Sequence, residues 1–376
     1  MRRPKSPLIL AAILAITLLL GARLAAAQYK QKNLVSNQHG MATHTDRHLI
    51  NGWGLAFFPH GPFWVADEGT GVSTVYGPHG RPIPLVVTIP PAPGQPVGSP
   101  TGLIANSTSN FVISKNGKSG PAWFIFNSGD GTISGWNPYV DPTHAVIVVD
   151  YSTAKPNRAL PASYTGLTSG RNSHGQEIIY AADFNNGDID MFDARFHFLG
   201  SFTDPAPPPG MFVYGVQNVN GQIVAAFASY TEFSGGAIDV FDTDGNLLRR
   251  LANNASEGPL QAPWGVALAP ADFGVFSHAL LIGNVQGGRI NAFDPNTGAF
   301  LGRMLDLHGN PIEIEGLWAL AFGTDGHANG EANELFFTAG PTFPPNILEY
   351  SDGLFGVIVA KDHDDHDDPD DSSQAR

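Results

Sequence analysis

Several side chains in this sequence are of the types that bind metals or move protons. His44, Asp46, His48 and Asn51 lie within one short stretch. Two imidazoles and a carboxylate at that spacing can ligate Zn²⁺ or another transition metal if the segment loops rather than runs extended. A second set is dispersed. Asp67, Asp183 and Asn284 each end an apolar run (Val-Ala-Asp, Ala-Ala-Asp, Ile-Gly-Asn) and each precedes a Gly-containing turn. Carboxylate and amide oxygens suit Ca²⁺ or another hard divalent cation. The same side chains can equally cap their own turns by accepting from backbone N–H groups. Both readings stand at this point. Glu315 offers a further oxygen, and His174 and His278 are weaker additions. Asp242-Thr243-Asp244-Gly245-Asn246 opens like a calcium loop. The bidentate Glu that such a loop needs eleven residues on is replaced by Asn253, so a tight hairpin turn is expected instead.

Absences narrow the chemistry. The chain has no Cys, which removes thiolate metal sites and thiol nucleophiles. It also lacks a Gly-x-Ser-x-Gly elbow, His-Glu-x-x-His, a Walker loop, and Gly-x-Gly-x-x-Gly ahead of a helix. The common serine-hydrolase, zinc-protease and nucleotide-binding readings therefore have no support.

What must position these residues is a repeat. Trp53-Gly54-Leu55, Thr101-Gly102-Leu103, Thr165-Gly166-Leu167, Tyr214-Gly215-Val216, Trp264-Gly265-Val266 and Trp318-Ala319-Leu320 recur at steps of 48, 64, 49, 50 and 54 residues. A period near 50 made of short alternating segments predicts a radial array of four-stranded blades. Each blade alone would leave a sheet face in water, so the blades must stack around an axis. The third repeat predicts strands over 164–168, 177–182, 188–193 and 198–202. Ile-Asp-Met-Phe-Asp at 189–193 is echoed by Ile-Asp-Val-Phe-Asp at 238–242 and Ile-Asn-Ala-Phe-Asp at 290–294. The sixth repeat lacks an outer strand, which residues 29–35 are expected to supply, sharing one sheet between the two ends of the array. The expected fold is all-β: a six-bladed β-propeller over residues 28–361. The stretches 153–163 and 203–210 are read as loops rimming one face.

The recurring aromatics Trp53, Tyr214, Trp264 and Trp318 are the candidate ligand-binding residues. Facing the axis, they would floor a site for sugars, planar molecules or peptides; facing neighbouring blades, they would be core. The candidate metal ligands are His44, Asp46, His48, Asp67, Asp183 and Asn284. No cofactor is assured by the sequence; Ca²⁺ or another divalent cation is the expected class.

The ends read as export and tail. Arg2, Arg3 and Lys5 precede an apolar run over 8–20 and Ala25-Ala26-Ala27, the layout of a signal peptide over 1–27. That run is shorter than the roughly 20 residues a membrane span needs, so no span is expected after cleavage. The localisation expected is secreted, periplasmic or extracellular. The Asp/His-rich stretch 362–376 cannot form a core and is read as a disordered tail. Net charge is −14, near −18 once the four basic leader residues are gone, which argues against nucleic-acid partners. Low charged content, 14%, with 44 Gly and 30 Pro fits many short strands and turns rather than helical bundles.

Residues 265–294 and 178–193 resemble NHL repeats. The chain is similar to an uncharacterised family of secreted bacterial propeller proteins. That likeness is carried by Asn51-Gly52-Trp53-Gly54-Leu55-Ala56-Phe57, Asp130-Gly131-Thr132-Ile133-Ser134-Gly135-Trp136-Asn137-Pro138, Gly316-Leu317-Trp318-Ala319-Leu320 and Gly353-Leu354-Phe355-Gly356. The resemblance implies a six-bladed NHL-like fold outside the cytoplasm and carries over no activity. Three functions remain in play. The first is a binding protein for a small molecule, glycan or protein. The second is a metal-dependent hydrolase or lyase of the gluconolactonase-like type, and the third a structural envelope protein. An enzyme would need several of the candidate ligands to meet at one point; a structural protein would show a mouth plugged by aromatics.

Overall fold

A computed structural model describes residues 28–156, 158–229, 234–342 and 350–361. The expected leader and acidic tail lie outside these residues. Six antiparallel sheets succeed one another along the chain, and each inner strand lies against the inner strand of the next blade, the sixth against the first. This is the expected six-bladed propeller.

The first blade comprises Gly52–Ala56, Phe63–Asp67, Val72–Tyr76 and Val87–Thr88, and the second Pro100–Ala105, Phe124–Ser128, Thr132–Trp136 and Val146–Asp150. The third holds Tyr164–Arg171, Glu177–Asp183, Asp188–Phe192 and Phe198–Phe202. The fourth holds Met211–Val219, Gln222–Ser229, Gly236–Phe241 and Leu247–Asn254. The fifth is Pro263–Leu268, Leu280–Asn284, Ile290–Phe293 and Phe300–Arg303. The sixth takes Leu317–Phe322, Leu335–Ala339 and Leu354–Ala360 from the C-terminal region and Tyr29–Ser36 from the N-terminal one.

That last strand pairs antiparallel with 354–360, from Tyr29 opposite Ala360 to Ser36 opposite Leu354. Its side chains explain why it docks. Tyr29, Leu34 and Val35 are buried, and the Tyr29 hydroxyl donates to the Phe273 carbonyl at 3.0 Å. A polar outer strand would leave its blade open at the seam; this one carries an apolar face into the core.

Glycine in the repeat allows the inner strands to approach closely. A β-carbon at Gly54 would lie 2.6 Å from the Thr101 carbonyl oxygen, at Gly215 2.4 Å from that of Trp264, and at Gly265 2.3 Å from that of Trp318. The sixth blade carries Ala319, and there a hydroxyl bridges the strands. Thr338 accepts from the Ala319 N–H at 3.1 Å and donates to the Trp53 carbonyl at 2.5 Å.

Two elements were not expected. A short strand, His44–Thr45, pairs parallel with Val35 and Ser36 and widens the sixth sheet to five strands. A hairpin of Val112–Lys115 and Lys118–Pro121 interrupts the second blade between its first two strands. The stretches 153–163 and 203–210 are strand-free wherever described, as read from the sequence.

Candidate functional site

Strand registers fix which face matters. Gly52 opposes Asp67, Tyr164 opposes Asp183 and Pro263 opposes Asn284, so inner-strand starts and second-strand ends share one face. The repeat aromatics sit at those starts.

They gather at the axis. Trp53 and Trp318 stack with ring centroids 3.5 Å apart. Trp264 meets both edge-on at 6.0 and 5.9 Å, and Tyr214 lies 6.1 and 6.0 Å from the same two rings. Phe184 packs on Tyr214 at 5.0 Å, Phe212 on Phe184 at 6.1 Å and Tyr350 on Trp318 at 5.6 Å. Trp318 is fully buried, whereas Trp264, Phe184 and Phe212 are half-buried and Tyr350 is exposed. The cluster is therefore both a plug and a partly open aromatic surface. Polar anchors hold the rings: Trp318 Nε1 donates to Asn51 Oδ1 at 2.9 Å, and Trp264 Nε1 to the Thr165 carbonyl at 3.0 Å. Asn51 also donates to Glu68 at 2.8 Å, which puts a carboxylate beside the cluster. Burial pushes the Tyr350 hydroxyl pKa up, with the Glu315 charge adding to it, so Glu315 is a second acidic neighbour. Along the axis beyond these rings lies a cavity of about 50 Å³ lined by residues of all six inner strands.

The candidate metal ligands divide among blades. Asn284 accepts from the Gln261 N–H at 2.6 Å and donates to the carbonyls of Pro259 and Arg289, a capping role. Asp183 accepts from the Ser163 N–H at 3.0 Å and from Asn186 at 2.8 Å. It is also one of three buried carboxylates, with Asp188 and Asp190, whose oxygens are close enough to share an ion. Lys155, wholly buried, reaches among them: its Nζ lies 2.9, 2.6 and 2.7 Å from Asp183, Asp188 and Asp190. Arg158 adds a second cation on Asp188, Nε to Oδ2 at 2.7 Å. Tyr164 and Ser201 donate to Asp190 at 2.8 and 2.7 Å. Burial raises the Asp190 carboxyl to about 6, against the pull of Lys155. Among the described residues this is the one set of three His, Asp or Glu side chains so placed.

Asp46, His48 and Asp67 lie in the first blade and the segment leading into it. The Asp46 carboxylate takes the His48 N–H at 3.0 Å, sits 3.1 Å from His48 Nδ1, and accepts from the Tyr76 hydroxyl at 3.1 Å. His44, on the short edge strand, is half-buried. Asp67 is fully buried; its oxygens make no hydrogen bond of good geometry, and the Thr74 hydroxyl and amide beside it only partly offset the cost of burying its charge. The loop that begins like a calcium loop is a hairpin turn: Asp242 accepts from the N–H groups of Asp244 and Asn246 at 2.9 and 2.8 Å.

Sequence reasoning had not singled out Lys155, Tyr76, Thr74, Phe184, Phe212 or Tyr350. Lys155 carried no local signal, since its partners lie about 30 residues away in another strand pair.

No family model matches the chain. Two solved structures share the fold, at identities too low to carry anything more. The PQQ-bound aldose sugar dehydrogenase of Streptomyces coelicolor is 14% identical with a TM-score of 0.53, over 89% of this chain and 99% of that one. A putative glucose dehydrogenase of Thermus thermophilus is 12% identical with a TM-score of 0.50, over 88% and 99%. In sequence, the chain is 32% identical over 357 residues to the uncharacterized protein R648 of Acanthamoeba polyphaga mimivirus, covering 90% of this chain and 82% of that protein. The uncharacterized protein L690 of the same virus is also 32% identical, over 355 residues, 90% of this chain and 88% of the relative. These relatives are viral, which corrects the bacterial attribution drawn from the sequence resemblance. The chain belongs to the family of these uncharacterised mimivirus proteins.

Proposed function

We propose that the protein is an exported, non-catalytic binding propeller of NHL-like type that seats its ligand on the aromatic surface at the axial mouth. The observation that carries this reading is the convergence of Trp53, Tyr214, Trp264 and Trp318 from four blades onto one point. Core packing alone would not leave Trp264, Phe184 and Phe212 half-open at the rim. Flat rings with Glu68 and Glu315 beside them suit a neutral sugar ring or a cationic ring-bearing molecule, through stacking and cation–π contact. Among the polar groups of the same face, Asp183 and Asn284 are engaged by their own blades. The export part rests on the basic-apolar-small layout of residues 1–27.

The test is a titration of the full chain with neutral oligosaccharides and with benzyltrimethylammonium, read by tryptophan fluorescence. A saturable change is expected with at least one class. It should weaken about tenfold or more in Trp264→Ala, the loss of one good aromatic contact. It should persist in Tyr139→Ala, a residue that is 74% exposed and meets Trp123 edge-on in the second blade. No saturable change with either class, or equal binding by the Trp264 variant, would reject the reading.

A further inference from the structure

Equivalent positions in the blades show a missing charge. In blades three, four and five a loop or outer strand places something against the polar residues at the second-strand end and the middle of the third strand. In blade three it is the Lys155 ammonium, set against Asp183 and Asp190. In blade four it is Arg250, which joins Asp239 in the third strand to Asp204 in the preceding loop. In blade five no charge is present, and Asn284 and Asn291 both donate to the Pro259 carbonyl of the preceding loop.

Blade one departs from this. Thr74 faces Val65 as Asp190 faces Ala181, so Asp67 and Thr74 are the counterparts of Asp183 and Asp190. The preceding segment brings up no cation but a carboxylate, Asp46, which accepts from the hydroxyl of Tyr76, two residues beyond Thr74 on the same strand, and whose charge acts on Asp67. Asp67 reaches beneath that segment. Its Oδ1 is 3.8 Å and the Leu49 Cδ1 3.0 Å from the place a β-carbon on Gly52 would take. The segment is pinned to the turn after Asp67 by Thr70, which donates to the His48 carbonyl at 2.7 Å, and by the Gly69 N–H on the Ile50 carbonyl at 3.1 Å. Both Asp67 oxygens and the Thr74 hydroxyl are buried and make no hydrogen bond of good geometry, although the Thr74 hydroxyl and amide lie near enough to Asp67 to ease its charge. Their burial, with the Asp46 charge, pushes the Asp67 carboxyl well above the usual range. A buried carboxylate left unpaired beside another carboxylate costs several kcal/mol.

We propose that a hard divalent cation, Ca²⁺ before others, is held between Asp67 and Asp46 in the first blade, with the Thr74 hydroxyl as a third protein oxygen. It supplies in blade one the positive charge that Lys155 supplies in blade three. The donors are all oxygens, which favours Ca²⁺ over Zn²⁺ or Cu²⁺. Tyr76 orients Asp46 by donating to Oδ2, and the His48 amide holds Oδ1. The site lies inside the blade, and the cation ties the N-terminal segment to the first blade.

The experiment compares the full chain with Asp67→Asn and Asp46→Asn by equilibrium dialysis against Ca²⁺ and by melting with and without it. Differences between variants remove the contribution of the acidic stretch after residue 361, which all three share. Each variant is expected to hold one Ca²⁺ fewer per chain. Saturating Ca²⁺ should raise the wild-type melting temperature by roughly 4 °C and the variants' hardly at all. Equal Ca²⁺ counts and equal melting responses in all three chains would overturn the proposal and leave Asp67 as a buried neutral acid. Should Asp67→Asn fail to fold, Thr74→Val, which exchanges the hydroxyl for a methyl group, must weaken Ca²⁺ about tenfold; unchanged affinity there is equally fatal.

Discussion

Trp53 and Trp318 stand at the first and last inner strands of the chain, yet their indoles stack at 3.5 Å with 17° between planes. Residues 265 positions apart in sequence meet this way because the ring closes. The aromatic mouth is thus a consequence of closure as well as of composition.

Removing the buried half of that stack should be costly. Trp318→Ala deletes a fully buried ring and one hydrogen bond to Asn51, and about 3–5 kcal/mol of stability should go with it. Trp264 is half-buried, so Trp264→Ala should cost clearly less. Chemical denaturation of the two variants checks the order; equal losses would place the two rings in equivalent surroundings.

Inner-strand spacing gives a second expectation. Gly265→Ala drives a methyl to within 2.3 Å of the Trp318 carbonyl and should destabilise by about 1–3 kcal/mol. Ala319→Gly, at the matching place in blade six, should cost about 1 kcal/mol or less, the ordinary glycine entropy penalty. Melting curves of both variants decide it, and a harmless Gly265→Ala would mean that adjacent blades can shift apart.

Lys155 compensates three buried carboxylates. Lys155→Ala should lose about 3–5 kcal/mol, because it leaves Asp183 and Asp190 without a cation in the interior while Asp188 keeps only Arg158. Asp183, Asp188 and Asp190 are close enough to share an ion, so millimolar Ca²⁺ should return much of the loss in this variant. Stability unaffected by the substitution would show that the ammonium is dispensable.

The same cluster sets a pH dependence. The Asp190 carboxyl is raised to about 6 in the fold, against about 3.9 in an unfolded chain. Between those values the folded state holds a proton that the unfolded state has released. The contribution of Asp190 is therefore fully present below about pH 4 and is lost as pH rises through 6, by about 2–3 kcal/mol. Other carboxylates titrate over the same range, so the readout is the difference between wild type and Asp190→Asn melted from pH 4 to 7. That difference should change in this direction, and a flat difference would contradict the assigned shift.

Much of the architecture was written locally. The Trp-Gly-Leu-type repeat marks the inner strands because only glycine lets adjacent backbones come so near, and alternation in 189–193 or 238–242 reflects one buried face per strand. The outer strand from residues 29–36 was legible from the gap in the sixth repeat. The hairpin 112–121 also carried a local signal, since Asn116-Gly117 suits the positive φ angles of a type I′ turn, but it lies in an insert outside the repeat. The sites were harder. Asp67, Asp183 and Asn284 looked alike in sequence, but the groups that face them come from segments 21, 28 and 25 residues away. Only the fold shows that one faces a lysine, one a carbonyl and one a second carboxylate.

The account depends on the two ends of the propeller sharing one blade. Calorimetry of a chain lacking residues 28–35, beside the full chain, tests this most directly. Loss of Tyr29, Leu34 and Val35 from the core is predicted to abolish the single cooperative transition and the close Trp53–Trp318 stack. A shortened chain that melts at the same temperature, and as sharply, would contradict it.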